Sequence, residues 1–356
     1  MYGVIIAGGS GTRFWPRSRQ KMSKQFLTIF GKKPLISQTI ERIEQIIPHE
    51  HMYVISVENQ REQLLEVCKK IPAENLIFEP VGKNTAPCIG LVAQIIYNKN
   101  PDGVMVVSPA DHLVVNVDKF RRVIKKSIEI ARDYNGLVTL GIKPDTPATG
   151  YGYIQIDKPL EIKGKIKAFN VKTFAEKPNL ETAKRFLKSG DFFWNSGVFI
   201  FRAETILNAF EEFLPEVYQG LQEIGKYLGT SKYPDVLKKV YKQIRSISID
   251  YGIMEKASNV YLVESDFGWS DLGSWEQVYR LSPKDSSGNV KSGDVLLLDT
   301  KDSYVYSSEG ITALLGVDNL IVVRSGDSVL VAKRERSEDV KKLVDIMKQK
   351  RFKKYV

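Results

Sequence analysis

The chain has 356 residues, 43% hydrophobic and 26% charged, enough for one large globular domain and a smaller one, with no run long and apolar enough for a membrane span. Its net charge of +10 is unevenly placed: residues 1–40 hold seven Arg or Lys and no acid, residues 333–356 hold ten against four acids, and the remainder is net negative. With no aromatic-basic strip, helix-turn-helix or zinc pattern beside those clusters, neither a specific nucleic-acid partner nor a membrane partner is expected.

Val4–Ala7 reads as a buried parallel strand, too short for a secretory leader. It breaks at Gly8-Gly9-Ser10-Gly11-Thr12-Arg13, where glycines let the backbone approach a ligand and turn its N–H groups toward an anion. Arg13 and Lys24 add fixed positive charge, so the segment suits a polyphosphate; the competing reading is a tight turn with a solvated basic face. No Gly-Lys-Ser/Thr closes it as in a Walker loop, and the spacing is not Gly-x-Gly-x-x-Gly.

A helix then opens near Pro34 with Ile36, Ile40, Ile43 and Ile47 on one face. Strand Tyr53–Val57, helix Arg61–Lys70, strand Leu76–Phe78, helix Ala86–Tyr97, strand Val104–Val107, helix Phe120–Arg132 and strand Leu137–Ile142 follow. Such alternation predicts a Rossmann-like α/β fold: a mixed, mostly parallel sheet flanked by helices, with ligands at the carboxyl ends of its strands. The loops after Ala7, Phe78, Val107 and Ile142 are therefore expected to share one side. Cys68 and Cys88, without metal-like spacing, read as reduced structural thiols of a cytoplasmic protein.

From about Asp285 the texture changes to short strands punctuated by Gly and Asp: Val295–Leu298, Tyr304–Tyr306, Thr312–Leu315, Leu320–Val323 and Val329–Val331. Ser337 is expected to cap a final helix with Val340, Leu343, Val344 and Met347 inward. The division predicted is a catalytic domain over 1–284 and a small β-rich module over 285–356, ending in a helix.

The Gly-Gly-x-Gly-Thr-Arg loop and the lysine that follows it resemble the sugar-nucleotide pyrophosphorylases, a nucleotidyltransferase family. Trp15-Pro16 with Lys24-Gln25-Phe26-Leu27 resembles its guanylyltransferase branch acting on mannose 1-phosphate; Ser23 stands where that family usually has Pro. The resemblance implies an enzyme joining GTP and α-D-mannose 1-phosphate to give GDP-mannose and pyrophosphate with Mg2+. It also implies a β-helix-like shape for the C-terminal module. Bifunctional relatives continue into an isomerase domain; this chain ends at Val356, so that activity is not expected. A homodimer is compatible with this reading, although residue types do not decide oligomeric state. Rival readings are another base or sugar, or a non-catalytic sugar-nucleotide sensor.

The attacking phosphate oxygen is already ionised near neutral pH, so the reaction asks for positioning and charge neutralisation rather than a general base. By the resemblance, Ala7 to Arg13 with Ser108 and Pro109 hold the nucleotide, and Arg13 and Lys24 stabilise the triphosphate and transition state. Asp111, just beyond a buried strand, and Asp271, in the Asp266–Trp275 cluster, are the expected metal ligands; the plainer reading of Asp111 is a turn acid after Pro109. His112 is a neighbour whose plainer role is a hydrogen bond within its loop, and Trp269 and Trp275 are expected to pack. Glu79 is a candidate acceptor for guanine N1–H and N2–H2, with an ion-pair role as the alternative. Asn84 and Thr85 either touch base or ribose or cap the next helix. Gly150 and Gly152 are implied to admit the sugar, Glu176 and Asn195 to hold its hydroxyls and Lys177 its phosphate. Asp250 is read chiefly as scaffold, with a sugar-side contact as the alternative.

Overall fold

A computed structural model describes residues 1–9, 11–19 and 22–356. Contact density divides these into two compact units: 1–8, 39–110 and 114–269 in the first, and 9–38, 111–113 and 270–356 in the second.

The strands of the first unit are β1 (Tyr2–Ile6), β2 (Met52–Val57), β3 (Leu76–Glu79), β4 (Val104–Pro109) and, after the two-residue β5 (Leu113–Val114), β6 (Leu137–Ile142). β7 (Tyr153–Pro159), β8 (Ala168–Ala175), β9 (Phe192–Arg202) and β10 (Val260–Ser265) complete its sheet. The nine-stranded sheet has the order β3-β2-β1-β4-β9-β6-β10-β8-β7. β1 to β4 are mutually parallel, and β6 pairs parallel with β10. Among the described residues, β8 and β9 run against the others. Helix-covered strands such as Met52–Ile55 and Val104–Val107 are apolar at every position because both faces are buried. The insertion of the antiparallel β9 between β4 and β6 left no trace in the periodicity, since its apolar run resembles those of its neighbours.

Helices α1 (Leu35–Glu44), α2 (Arg61–Val67), α3 (Thr85–Lys99) and α4 (Val117–Asp133) follow the first strands. α4 buries Phe120, Val123, Ile124 and Ile128, leaves its Lys and Arg outside, and starts where Asn116 accepts a hydrogen bond from the Lys119 N–H at 2.9 Å. α3 is buried from Ala86 to Ile96 and packs with α6 (Ala203–Phe213) and α7 (Pro215–Gly225), which come after α5 (Leu180–Ser189). α8 (Tyr233–Gln243) packs on α7. Cys68 and Cys88 are buried free thiols.

In the second unit, after β11 (Trp269–Ser270) and α9 (Trp275–Leu281), the short strands are β12 (Val290–Ser292), β13 (Val295–Leu298), β14 (Tyr304–Ser307), β15 (Thr312–Leu315), β16 (Leu320–Ser325) and β17 (Ser328–Lys333). β12, β14 and β16 stack in parallel, β13 pairs parallel with β15, and β17 closes antiparallel on β16, a β-helix-like stack. Its apolar core includes residues of the glycine-rich segment: fully buried Trp275 meets Phe14 edge-on at 4.9 Å and stacks on Tyr304 at 5.5 Å. The Trp275 indole donates to the Trp15 carbonyl at 3.2 Å, and the Trp15 indole to the Tyr355 carbonyl at 2.8 Å. Arg19 reaches Asp327 at 2.6 Å, and the Arg17 guanidinium lies 4.2 Å from the Tyr306 ring centre. The phosphate-loop segment and the C-terminal strands thus share one core.

Two expectations for the last helix need correction. Ser337 does not cap it: 334–339 form a 3-10 turn pinned by Arg334, whose guanidinium makes two hydrogen bonds to Glu276 at 2.8 and 3.0 Å, and α10 (Val340–Gln349) begins after it. Leu343 is exposed, because α10 turns Val340 and Val344 to the core instead.

Candidate active site

In the second unit, residues from three separate stretches surround a cavity of about 330 Å3, within the usual range for small-ligand sites. The Gly11–Phe14 turn forms one wall. Gly11 has φ +57°, and a Cβ there would fall 2.3 Å from the Lys24 Cβ, so only glycine lets the loop and the lysine lie this close. Lys24 is nearly buried, its side chain 8% exposed. Its Nζ donates to Asp111 Oδ2 at 2.8 Å and to the Asp271 carbonyl at 2.5 Å, so one ammonium ties together the two acid-bearing loops.

Burial alone would push the Asp111 carboxyl up. The charge of Lys24, then that of His112 with Nε2 3.8 Å away, outweighs it and holds the group below its usual range, leaving a carboxylate at neutral pH. Asp271 Oδ1 accepts from the Gly273 N–H at 3.1 Å. Arg13 is exposed at the same cavity, and so is Lys341 from α10, which the sequence reading passed over. Two hard-oxygen carboxylates at one polar cavity fit a magnesium ion, which takes one or two carboxylates and completes its shell with water and substrate phosphates. No group of three or more His, Cys, Asp or Glu poised for a metal occurs among the described residues, and this chemistry requires none.

Ser10 lies outside the described residues. Ala7 is held by Ser56, whose hydroxyl donates to the Ala7 carbonyl at 3.0 Å, while Gly8 and Gly9 are exposed, Gly9 with φ +100°. Ser108 is buried, its hydroxyl turned to the Pro109 carbonyl at 3.3 Å.

The structure corrects the picture of Glu79. Its side chain points into the core of the first unit, 4% exposed, and Oε1 has no hydrogen-bond partner among the described residues. Burial pushes the carboxyl up to about 8 against a smaller opposing pull from the Tyr241 hydroxyl, so near neutral pH it is mostly protonated. The Cys88 thiol is likewise pushed up, by burial and then by Glu79. A buried neutral acid of this kind does not present a carboxylate to a base. Asn84 takes the capping role, its Oδ1 accepting from the Thr85 N–H at 2.9 Å, while the Thr85 hydroxyl accepts from the distant Ile249 N–H at 2.9 Å.

Also within the first unit, the sugar-motif residues converge. A Cβ on Gly152 would lie 2.5 Å from Glu176 Oε2, so the carboxylate occupies the space glycine leaves, whereas Gly150 faces open space. Glu176 pairs with Lys177, which has φ +46° and an exposed side chain. Asn195 Oδ1 accepts from the Thr139 hydroxyl at 3.0 Å and the Gly197 N–H at 3.1 Å, and its Nδ2 donates to Asp250 Oδ1 at 2.9 Å. Asp250 is raised to about 6, first by burial and then by the Glu176 charge. The signal that could have promoted it is the second acid near Glu176, invisible until the fold brings 176 and 250 together.

The nucleotidyl transferase family model matches residues 2–288, and the MannoseP isomerase/GMP-like beta-helix domain model matches 293–347. A mannose-1-phosphate guanylyltransferase of Klebsiella pneumoniae is 39% identical over 356 residues, covering 99% of this chain and 75% of the relative. Among solved structures, a mannose-1-phosphate geranyltransferase of Thermus thermophilus aligns with a TM-score of 0.88 at 33% identity, covering 98% of this chain and 99% of that one. A mannose-6-phosphate isomerase of Helicobacter pylori aligns with a TM-score of 0.60 at 27% identity, over 76% of this chain and 100% of that one. With the glycine loop, the paired acids and these full-length similarities together, the chain belongs to the nucleotidyl transferase family, in its mannose-1-phosphate guanylyltransferase branch.

Proposed function

We propose that the protein joins GTP and α-D-mannose 1-phosphate to give GDP-mannose and pyrophosphate. The observation that carries the reading is the cavity in which Lys24 bridges Asp111 and Asp271 beside the Gly11–Arg13 turn. The choice of guanine and mannose leans on the relatives' activity. A sugar-phosphate oxygen bonds to the α-phosphorus while the bond from that phosphorus to the bridging oxygen breaks, and the electron pair leaves with pyrophosphate. The attacking oxygen is ionised already, so no side chain need remove a proton.

Each residue then has a positional task. The backbone from Ala7 to Thr12, with Ser10 assigned from sequence alone, and Ser108 and Pro109 follow the nucleotide; Arg13 neutralises its phosphates. Lys24 holds Asp111 and Asp271 in place and lends its charge to the transferred group. Magnesium, when bound, would be held by Asp111 and Asp271 and would supply charge neutralisation on the phosphates. Gly150 and Gly152 give the sugar room, Glu176 and Asn195 hold its hydroxyls with Asp250 behind Asn195, and Lys177 takes its phosphate. Asn84 and Thr85 shape the loop near the base. We assign the catalytic work to 1–284, the β-rich module to 285–356 and the protein to the cytoplasm.

The test is pyrophosphate release from each nucleoside triphosphate against a panel of sugar 1-phosphates. GTP with mannose 1-phosphate should exceed UTP by at least about tenfold, one lost hydrogen bond to a polar site being worth over ~1 kcal/mol. Equal use of UTP would sink the guanylyl assignment and leave nucleotidyl transfer standing; no release from any pair would sink both.

A further inference from the structure

The cavity of the second unit has one more cation than the glycine loop supplies. Lys341 sits in the first turn of α10 and lines the cavity together with Arg13, Lys24, Asp111 and Asp271. Packing fixes its direction. Val340 and Val344 on the same helix are 3% and 1% exposed and belong to the core that holds Phe14 and Trp275, and α10 rests on the Thr12–Phe14 turn. With those valines inward, the helix cannot rotate Lys341 away without exposing them.

Charge partners separate Lys341 from its neighbours. Lys342, one residue on, is tied to Asp339 at 2.8 Å, and Lys24 is already engaged by Asp111 and the Asp271 carbonyl. Lys341 forms no ion pair among the described residues and is exposed, as is Arg13. An ammonium held at a cavity without a counter-ion suits an incoming polyanion. Lys24 and the acids lie deeper, and the exposed pair Arg13 and Lys341 marks the open side.

We propose that Lys341 binds the terminal phosphates of the nucleoside triphosphate, and hence the pyrophosphate product, so that the C-terminal helix is a working part of the phosphate site. This deepens the reading above and rests on it. It also gives a reason for the shared core of phosphate loop and C-terminal module: the module carries a ligand-binding side chain as well as support.

The test uses the full chain and inorganic pyrophosphate with magnesium chloride in calorimetry, alongside KM for pyrophosphate in the reverse reaction. Lys341→Ala should weaken pyrophosphate by about tenfold or more, the scale of one charge-assisted hydrogen bond. Lys341→Arg should recover most of that, and Lys342→Ala should stay within about twofold. KM for GDP-mannose should stay within a few-fold in all three. Pyrophosphate binding by Lys341→Ala equal to that of the unmodified chain would overturn the proposal, as would an equal loss in Lys342→Ala, which would mean a diffuse field instead of a contact. An unmodified chain that neither binds pyrophosphate nor releases it from GTP would defeat the phosphate-site reading itself, and Lys341 with it.

Discussion

Asp111 in the second unit and Asp250 in the first are the same residue type under opposite control. Beside Asp111 stands an ammonium at 2.8 Å, and the carboxyl is held below its usual range despite burial. Asp250 has the Glu176 charge near it and an amide for a partner, and it is raised to about 6. The contrast follows the chemistry of the ligands proposed for each. A polyphosphate site keeps its acids ionised through fixed cations, which also serve the phosphates. A site for neutral hydroxyls needs acceptors, and two acids placed together for that purpose push one toward its neutral form.

Removing the cation tests this contrast most severely. Lys24→Ala, Asp111→Asn and Asp271→Asn should each lower kcat by roughly a hundredfold or more, the scale of one preorganised charge contact. Lys24→Ala should also cost about 1–3 kcal/mol of stability, since Asp111 keeps its partly buried charge but loses its ammonium partner. That penalty should shrink in the double variant Lys24→Ala/Asp111→Asn, measured by denaturant midpoint. Near-normal turnover in Asp111→Asn would remove it from the mechanism; an undiminished penalty in the double variant would mean that Lys24 stabilises the loops through the Asp271 carbonyl alone.

On the other side, Glu176→Ala and Asn195→Ala should raise KM for mannose 1-phosphate about tenfold or more, on the scale of lost hydrogen bonds to charged or buried groups, with GTP binding within a few-fold. Calorimetry showing GTP binding lost and sugar-phosphate binding kept would reverse the two assignments. Asp250 extends the contrast to pH. As pH falls through about 6 it takes up a proton, weakening its hold on Asn195, so KM for mannose 1-phosphate should rise there. Asp250→Asn should abolish that acid limb, and KM for GTP should show none of it. A flat sugar-phosphate KM between pH 5 and about 7 would defeat the coupling.

The elements were legible because apolar runs end at Gly, Pro or Asx, and the residues proposed for the site stand near strand ends: Ala7, Ser108 and Asp111 follow directly from the runs before them. Three features were not. The antiparallel β9 carries the same apolar texture as a parallel strand, so its direction depends on partners far along the chain. Lys341 is one of many basic residues near the C-terminus, and only the seating of Val340 and Val344 selects it. Ser337 reads as a cap, but the distant Glu276 draws Arg334 into a turn instead. Glu79 was legible and misread: the two-residue period puts it on the face of Ile77, which is in the core.

Glu79 gives the smallest effect and the one whose sign is most exposed. Its carboxyl is raised from 4.5 to about 8 in the fold, so between those values the folded chain holds a proton that the unfolded chain has released. Stability therefore falls as pH rises through that window, and below about 4.5 the cost is absent. Glu79→Gln keeps the shape and hydrogen-bonding capacity of the neutral acid but cannot ionise, so its stability should not carry this slope. The variant should gain on the unmodified chain as pH rises from 6 to 8.5, widening the Tm difference by roughly 3 °C or more, while the ratio of GTP to UTP turnover stays unchanged. A pH-independent Tm difference would mean that the carboxyl ionises without penalty in the fold. A collapse of the GTP preference in Glu79→Gln would restore Glu79 as the group that reads the base.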